Sequence, residues 1–131
     1  MTIYQSKEPI QILWDITKNL YTKEHIPIYK ETMHEEENDI PDSYILLRSQ
    51  ISDSTSVYGD GISLIRSADC DIILISKGYA DDTSDLHNKN KKKIRKVLEE
   101  RGIPYQETNL GYDDGLKSTQ HTFSIGINYC G

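Results

Sequence analysis

Residues 119–129 alternate between apolar and polar side chains without a break. From position 121 onward the odd-numbered residues are large or apolar: His121, Phe123, Ile125, Ile127 and Tyr129. The residues between them are small or polar: Gln120, Thr122, Ser124, Gly126 and Asn128. A repeat of two residues is the repeat of a β-strand that buries one of its faces. The sequence therefore predicts a sheet with one covered side.

Two stretches have the repeat of an amphipathic helix instead. In 8–21 the apolar positions recur at intervals of three and four residues, and Pro9 suits the first turn of a helix. The second stretch, 86–101, ends at Gly102, where a positive φ is favourable. The inward stripe of this second helix is predicted to consist of Leu86, Ile94, Val97 and Leu98.

Extended chain is predicted between and after these helices. The stretches are 25–30, which Pro27 restricts to an edge strand or a lead-in; 43–51; 62–76, with a bulge or hairpin near Ala68 left open; and 103–110. Polar loops are predicted at 52–56 and 78–88, and glycine-containing turns at 59–61 and 113–115.

The predicted order is α-β-β-β-α-β-β in one domain that covers residues 1–131. Ile, Leu, Val and Phe make up about a quarter of the chain, which is above the level typical of disordered proteins. Because short turns join most consecutive strands, the sheet of about four to five strands should be mainly antiparallel, with both helices on one face. The expected fold class is α+β.

The net charge of −6 is distributed unevenly. Residues 1–80 carry 7 basic and 13 acidic side chains, whereas residues 81–131 carry 8 of each. Because an acidic molecule repels phosphate, adhesion to free nucleic acid is not the default expectation. No apolar run is long enough to cross a bilayer, so no membrane partner is expected. Cys70 and Cys130 show no metal-binding spacing, and two reduced thiols are favoured.

The densest charge cluster lies in the second predicted helix. Six of the eight residues from Lys89 to Lys96 are cations. The simplest interpretation is a solvated helix face; the others are a nucleic-acid surface and a patch that docks on an acidic neighbouring subunit. The candidate partner surface consists of Lys91, Lys92, Lys93 and Arg95. No aromatic residue lies between these lysines to stack on bases, which weighs against nucleic acid.

Acidic side chains dominate the segment 31–42, which is predicted to be a loop. Its central members are Glu35, Glu36, Glu37 and Asp39. The four histidines, His25, His34, His87 and His121, are scattered without the spacing of metal ligands. We therefore expect a solvated loop and no metal site.

Asp69 and Asp71 are the one carboxylate pair expected on a single strand face. Such a pair could serve acid–base chemistry, so a small hydrolase is kept as a remote hypothesis. The sequence contains no GxSxG, GxxxxGK[ST] or GxGxxG motif. We therefore expect no enzyme, no catalytic residue and no cofactor.

The order of short motifs from Ile26 onward resembles the tail completion, or tail terminator, proteins of long-tailed bacteriophages of Gram-positive bacteria. The resemblance covers roughly 100 positions. Its parts are IPIY at 26–29, YILLR at 44–48, VYGDG at 57–61, IILIS at 72–76, VLEERGIPY at 97–105, GYDDG at 111–115 and HTFSIGINY at 121–129. No single part is specific, and their order carries the resemblance.

This resemblance implies a structural protein of the virion neck, assembled in the host cytoplasm. Such proteins form a ring, usually a hexamer, that ends growth of the tail tube. The partners would be further copies of the chain, the major tail tube protein and the head–tail connector, with DNA passing through the ring without specific binding. Glu35, Glu36, Glu37 and Asp39 would then face either that passage or solvent. A head–tail joining ring and a small nucleic-acid-binding regulator that uses Lys89–Lys96 remain alternatives.

Overall fold

A computed structural model describes residues 3–5, 8–31, 40–58, 63–78 and 84–130. It contains two helices and six strands. In chain order they are β1 (Ile3–Gln5), α1 (Pro9–Thr22), β2 (Ile28–Lys30), β3 (Ser43–Tyr58), β4 (Ser63–Lys77), α2 (Ser84–Glu100), β5 (Gln106–Asp113) and β6 (Ser118–Cys130).

The strands form one mixed sheet with β4 at its centre. Strand β4 pairs antiparallel with β3 over residues 63–76 and with β6 over residues 66–77. The short β2 lies parallel to β3, opposite residues 45–47. Strands β5 and β1 share the outer edge of β6, where β5 pairs with residues 118–124 and β1 with residues 128–130. The predicted α+β class, mainly antiparallel sheet and element order are confirmed, apart from the additional β1.

Both helices pack on the same face of this sheet. Alternate residues of the strands supply the floor of the core: Ile45, Leu47, Ala68, Cys70, Ile72, Leu74, Phe123, Ile125, Ile127 and Tyr129. Ile12, Leu13 and Ile16 from α1 join Ile94 and Leu98 from α2 above it. Because side chains alternate across a strand, the residues between these core positions lie on the opposite face, which neither helix covers.

Local rules account for the ends of the helices. Pro9 occupies the first turn of α1, where its missing N–H breaks no helical hydrogen bond. Gly102 follows α2 with a φ of 66°, and the N–H of Ile103 donates to the carbonyl of Leu98 at 2.9 Å. The predicted positive φ at Gly102 is confirmed.

The polar loop predicted at 52–56 is wrong, because β3 continues to Tyr58 and pairs with β4 as far as Ser63. The register shifts between Ile51 and Thr55. Backbone hydrogen bonds hold a two-stranded hairpin, so a polar sequence can continue a strand without apolar alternation. The sequence allows a bulge or hairpin near Ala68. The structure instead has the irregular stretch in β3, and β4 is continuous through Ala68.

Two other boundaries and one stripe position also differ. Strand β5 begins at Gln106, not at Ile103, since Pro104 has no N–H to donate to a ladder. Helix α2 begins at Ser84, inside the loop predicted at 78–88. Leu86 was assigned to the inward stripe but is 46% exposed, because the stripe of α2 runs through other residues described below.

The exposed fractions of Leu86 and Leu98 predict how much each side chain contributes to the free energy of unfolding. Leu98→Ala should lower the free energy of unfolding by about 2–5 kcal/mol, because it leaves a cavity at a fully buried site. Leu86→Ala, in the same helix, should change it by about 0.5 kcal/mol or less. Urea unfolding of both variants measures the difference. Equal losses would contradict the orientation of α2.

Candidate functional site

Two cations of the predicted partner surface bind other parts of their own chain. The Nζ of Lys93 lies 3.1 Å from Oε2 of Glu24, which follows α1. Arg95 donates to both carboxylate oxygens of Glu107 on β5, over 2.6–3.0 Å. Lys93 and Arg95 therefore fasten α2 to α1 and to the sheet, and a partner would compete with these contacts.

Other lysines of α2 point away from the body. Lys89 and Lys92 are exposed, lie three residues apart on one side of the helix and form no ion pair among the described residues. Lys91 is half-buried and likewise forms no ion pair in the described ranges. We call Lys89 and Lys92 the lysine ridge. The predicted set therefore contains two cations that bind their own chain, Lys93 and Arg95, and two, Lys91 and Lys92, that form no ion pair with described residues.

Glu107 also joins α2 to a buried histidine. His121, 6% exposed, has its Nε2 2.7 Å from Oε1 of Glu107. Hydrogen bonds from Arg95 first, and from His121, lower the pKa of Glu107. Burial lowers the pKa of His121 despite the carboxylate beside it. A neutral His121 therefore donates from Nε2, and its buried Nδ1 has no hydrogen-bond partner within the described part of the chain.

A second buried polar network lies under the first turns of α2. Asn90 Nδ2 donates to Ser43 Oγ at 2.9 Å, Ser43 lies 2.9 Å from Ser76, and Ser76 lies 2.6 Å from His87 Nδ1. Burial, then the charge of Lys91, lowers the pKa of His87 to about 4. A neutral imidazole carries one N–H and one acceptor nitrogen, so the tautomer of His87 sets whether Ser76 donates to Nδ1 or accepts from it.

Sequence reasoning missed this network although a signal was present. The positions 87, 90, 94 and 98 follow the spacing of one helix face, and two of them are Ile94 and Leu98. The same stripe extended backward therefore selects His87 and Asn90 instead of Leu86. His87 and Asn90 were not assigned to the buried face because such a face is usually identified by its apolar residues, and both of these are polar.

Asp69 and Asp71 lie together on the uncovered face, as the sequence predicts. They line an open cavity of about 570 Å³ at the edge of β6, in the stretch between β5 and β1. Its other walls are Pro104, Tyr105, Gln106, Ser124, Ile125 and Gly126. A second cavity, of about 280 Å³, shares both carboxylates and adds Glu31, Arg48, Ser49 and Gln50. We call the two together the carboxylate groove.

The groove is acidic and incompletely paired. Ser124 Oγ donates to Asp71 Oδ1 at 2.9 Å, and Asp69 has no hydrogen bond or ion pair within the described ranges. Arg48 lies opposite Asp71 in the β3–β4 register but forms no ion pair with it. The groove opens to solvent at the sheet edge, so its chemistry suits docking of a cationic group.

The thiol between these carboxylates is not available for chemistry. Cys70 points into the core, is fully buried and is a free cysteine. Burial, followed by the charges of Asp71 and Asp69, raises its pKa to about 12. A thiol held in this protonated form is a poor nucleophile.

The acidic residues Glu35, Glu36, Glu37 and Asp39 lie outside the described residues, as does His34. Within the described ranges, no three His, Cys, Asp or Glu side chains form a group that could hold a metal ion. In the same part of the chain, no helix is both long enough and apolar enough to span a membrane.

No protein-family model matches the chain, and no curated protein matches its sequence.

The buried histidine network predicts a pH-dependent stability. The pKa of His87 falls from an ordinary 6.5 to about 4 on folding, so the unfolded chain binds more protons between these values. Stability should be fully present above pH 6.5 and fall by up to about 3 kcal/mol as the pH approaches 4. Denaturant unfolding across this range measures the slope.

The matched variant is His87→Asn, which places an amide near Ser76 but cannot titrate. Its stability should fall less steeply between pH 6.5 and 4, whatever its value at neutral pH. Some slope should persist, because the pKa of His121 is lowered too. His25→Asn, at an exposed site, is the control. An unchanged slope in His87→Asn would contradict the assignment.

Proposed function

We propose that the chain is a structural assembly protein that forms a ring at the head-proximal end of a phage tail tube. The ring would end tube growth and join the tail to the head connector. Two lines of reasoning support this proposal. One is the ordered resemblance to tail terminator proteins. The other is the long strand pair β3–β4, which extends beyond the rest of the sheet and whose outer edge lacks a partner strand among the described residues.

The hairpin of β3 and β4 carries the proposal. These strands have 16 and 15 residues, against a usual 3–10 or so. Strand β3 pairs with β2 only at residues 45–47, so its outer edge from residue 48 to residue 58 has no partner strand among the described residues. Ten residue steps of about 3.4 Å give this edge a length of at most about 34 Å.

A free edge of that length is a template for another chain. It presents a row of unpaired N–H and C=O groups, which a second strand can satisfy. Pairing of β4 with β6 ends at Arg66, so residues 63–65 and their partners 56–58 extend past the body of the sheet. We call residues 51–58 and 63–66 the arm. An arm that reaches beyond its own sheet suits contact with a neighbouring subunit.

The decisive experiment mixes the purified chain with tail tubes assembled from a major tail protein of the same source genome. Electron microscopy should reveal a ring at one end of each tube, and capped tubes should stop elongating. Tubes that stay bare and continue to elongate would contradict the proposal. Binding to connector-bearing heads, with no binding to tubes, would favour the head–tail joining ring.

A shortened arm provides the matched variant for this experiment. Removing the paired stretches 55–57 and 64–66 together shortens both strands by three residues and removes none of the core residues identified among the described side chains. We expect this variant to fold, because both strands lose the same number of paired residues and their register is kept. It should nevertheless fail to cap tubes. Capping equal to that of the full chain would contradict a role for the arm.

The nucleic-acid-binding alternative makes a different prediction. It depends on free cations of α2, yet Lys93 and Arg95 already bind Glu24 and Glu107. We expect no retention of DNA or RNA at low salt in a fluorescence anisotropy titration. Salt-dependent binding that is lost when Lys91, Lys92 and Lys93 are replaced by Glu would favour the regulator instead.

A further inference from the structure

We propose that the carboxylate groove of one copy receives the lysine ridge of a second copy of this chain. This inference rests on the proposed ring and names the contact that would close it. It starts from two surfaces of opposite charge that form few ion pairs with the described residues of their own chain.

The groove supplies the negative surface. Glu31, Asp69 and Asp71 line its second cavity together with a single cation, Arg48. Asp69 is exposed, and the described residues offer it no partner; within the same residues, Asp71 accepts only from the neutral hydroxyl of Ser124. The floor is paired strand backbone, so the carboxylates are held in a fixed arrangement before a partner arrives.

The ridge supplies the positive surface. Lys89 and Lys92 are exposed and form no ion pair in the described part of the chain. The neighbouring cations differ: Lys93 binds Glu24, Arg95 binds Glu107, and Lys96 lies 3.9 Å from Glu100. Among the described residues, the cations of α2 without an ion pair therefore include the two exposed lysines near its start.

The spacing of the charges also matches. Asp69 and Asp71 are two residues apart on a strand, about 6.7 Å along its axis. Lys89 and Lys92 are three residues apart on a helix, with Cβ atoms about 5–6 Å apart. Flexible lysine side chains can cover the remaining difference, so both ion pairs can form at once.

The two surfaces cannot meet within one chain, because they lie on opposite faces of the same sheet. Helix α2 packs on the face that contains Cys70 and Ile72, whereas Asp69 and Asp71 lie on the other face. Contact between different patches on successive copies is heterologous, and it generates a ring when the rotation closes. The proposed contact therefore gives the ring a direction, with each groove facing the next ridge.

Charge reversal tests this contact. The groove variant is Asp69→Lys with Asp71→Lys, and the ridge variant is Lys89→Asp with Lys92→Asp. The swap variant combines all four changes and restores the net charge of −6. Sedimentation velocity measures self-association over a range of protein concentrations at low salt, and circular dichroism with urea unfolding verifies that each variant folds.

We expect the groove variant and the ridge variant each to associate about tenfold or more weakly than the original chain. The swap variant should recover association, and so should an equimolar mixture of the groove and ridge variants. Added salt should weaken all of these complexes, since exposed charges are screened. The control variant is Lys18→Asp with Lys23→Asp. It changes the net charge by the same amount as the ridge variant, but on another surface, and should leave association unchanged.

Three results would overturn the contact: no association of the original chain, association of both double variants at the original strength, or no recovery in the swap variant and the mixture. These results leave the tube-capping experiment as an independent test. If the original chain still caps tubes, the ring closes through other surfaces. If charge swapping succeeds but tubes stay bare, the contact stands and the proposed function fails.

Discussion

The double pairing of β4 is the constraint on which the rest of the structure depends. Because β4 is hydrogen-bonded on both sides, its side chains can point only to the two faces of the sheet. Cys70, Ile72 and Leu74 occupy one face and require the cover of α1 and α2. Asp69 and Asp71 are thereby held on the other. A shift of one residue in register would bury the carboxylates and expose the core.

Helix α2 combines packing and recognition through the spacing of its residues. One face carries His87, Asn90, Ile94 and Leu98 into the sheet, and the polar half of that face is satisfied by Ser43 and Ser76. Flanking cations hold the helix to Glu24 and Glu107. The exposed lysines Lys89 and Lys92 form no ion pair with the residues that the structure describes. A single cationic helix can thus contribute residues to the core, form ion pairs that hold it to the rest of the chain, and expose further lysines to solvent.

Periodicity predicted most of the fold, since the alternation at 119–129 and the helical repeats follow directly from which face is buried. Periodicity gave wrong predictions where hydrogen bonds, and not the burial of apolar side chains, determine the local structure. The stretch 52–56 is polar but continues β3 through backbone pairing. The buried polar network was missed for a related reason, because hydrogen bonds satisfy His87 in the core. The sequence identified the cationic cluster on α2 as a candidate surface. It could not show that Lys93 and Arg95 form ion pairs within the chain, because those pairs depend on tertiary contacts.

Amide hydrogen exchange along β3 tests most directly whether the outer edge of this strand binds another protein chain during assembly. Alternate amides of an unpaired edge point outward and exchange with water. In the isolated chain, the outward amides of residues 48–58 should exchange rapidly. On assembly with tail tubes they should slow by about tenfold or more, as a partner covers the edge. Equal exchange in the free and assembled protein would contradict an assembly role for this edge.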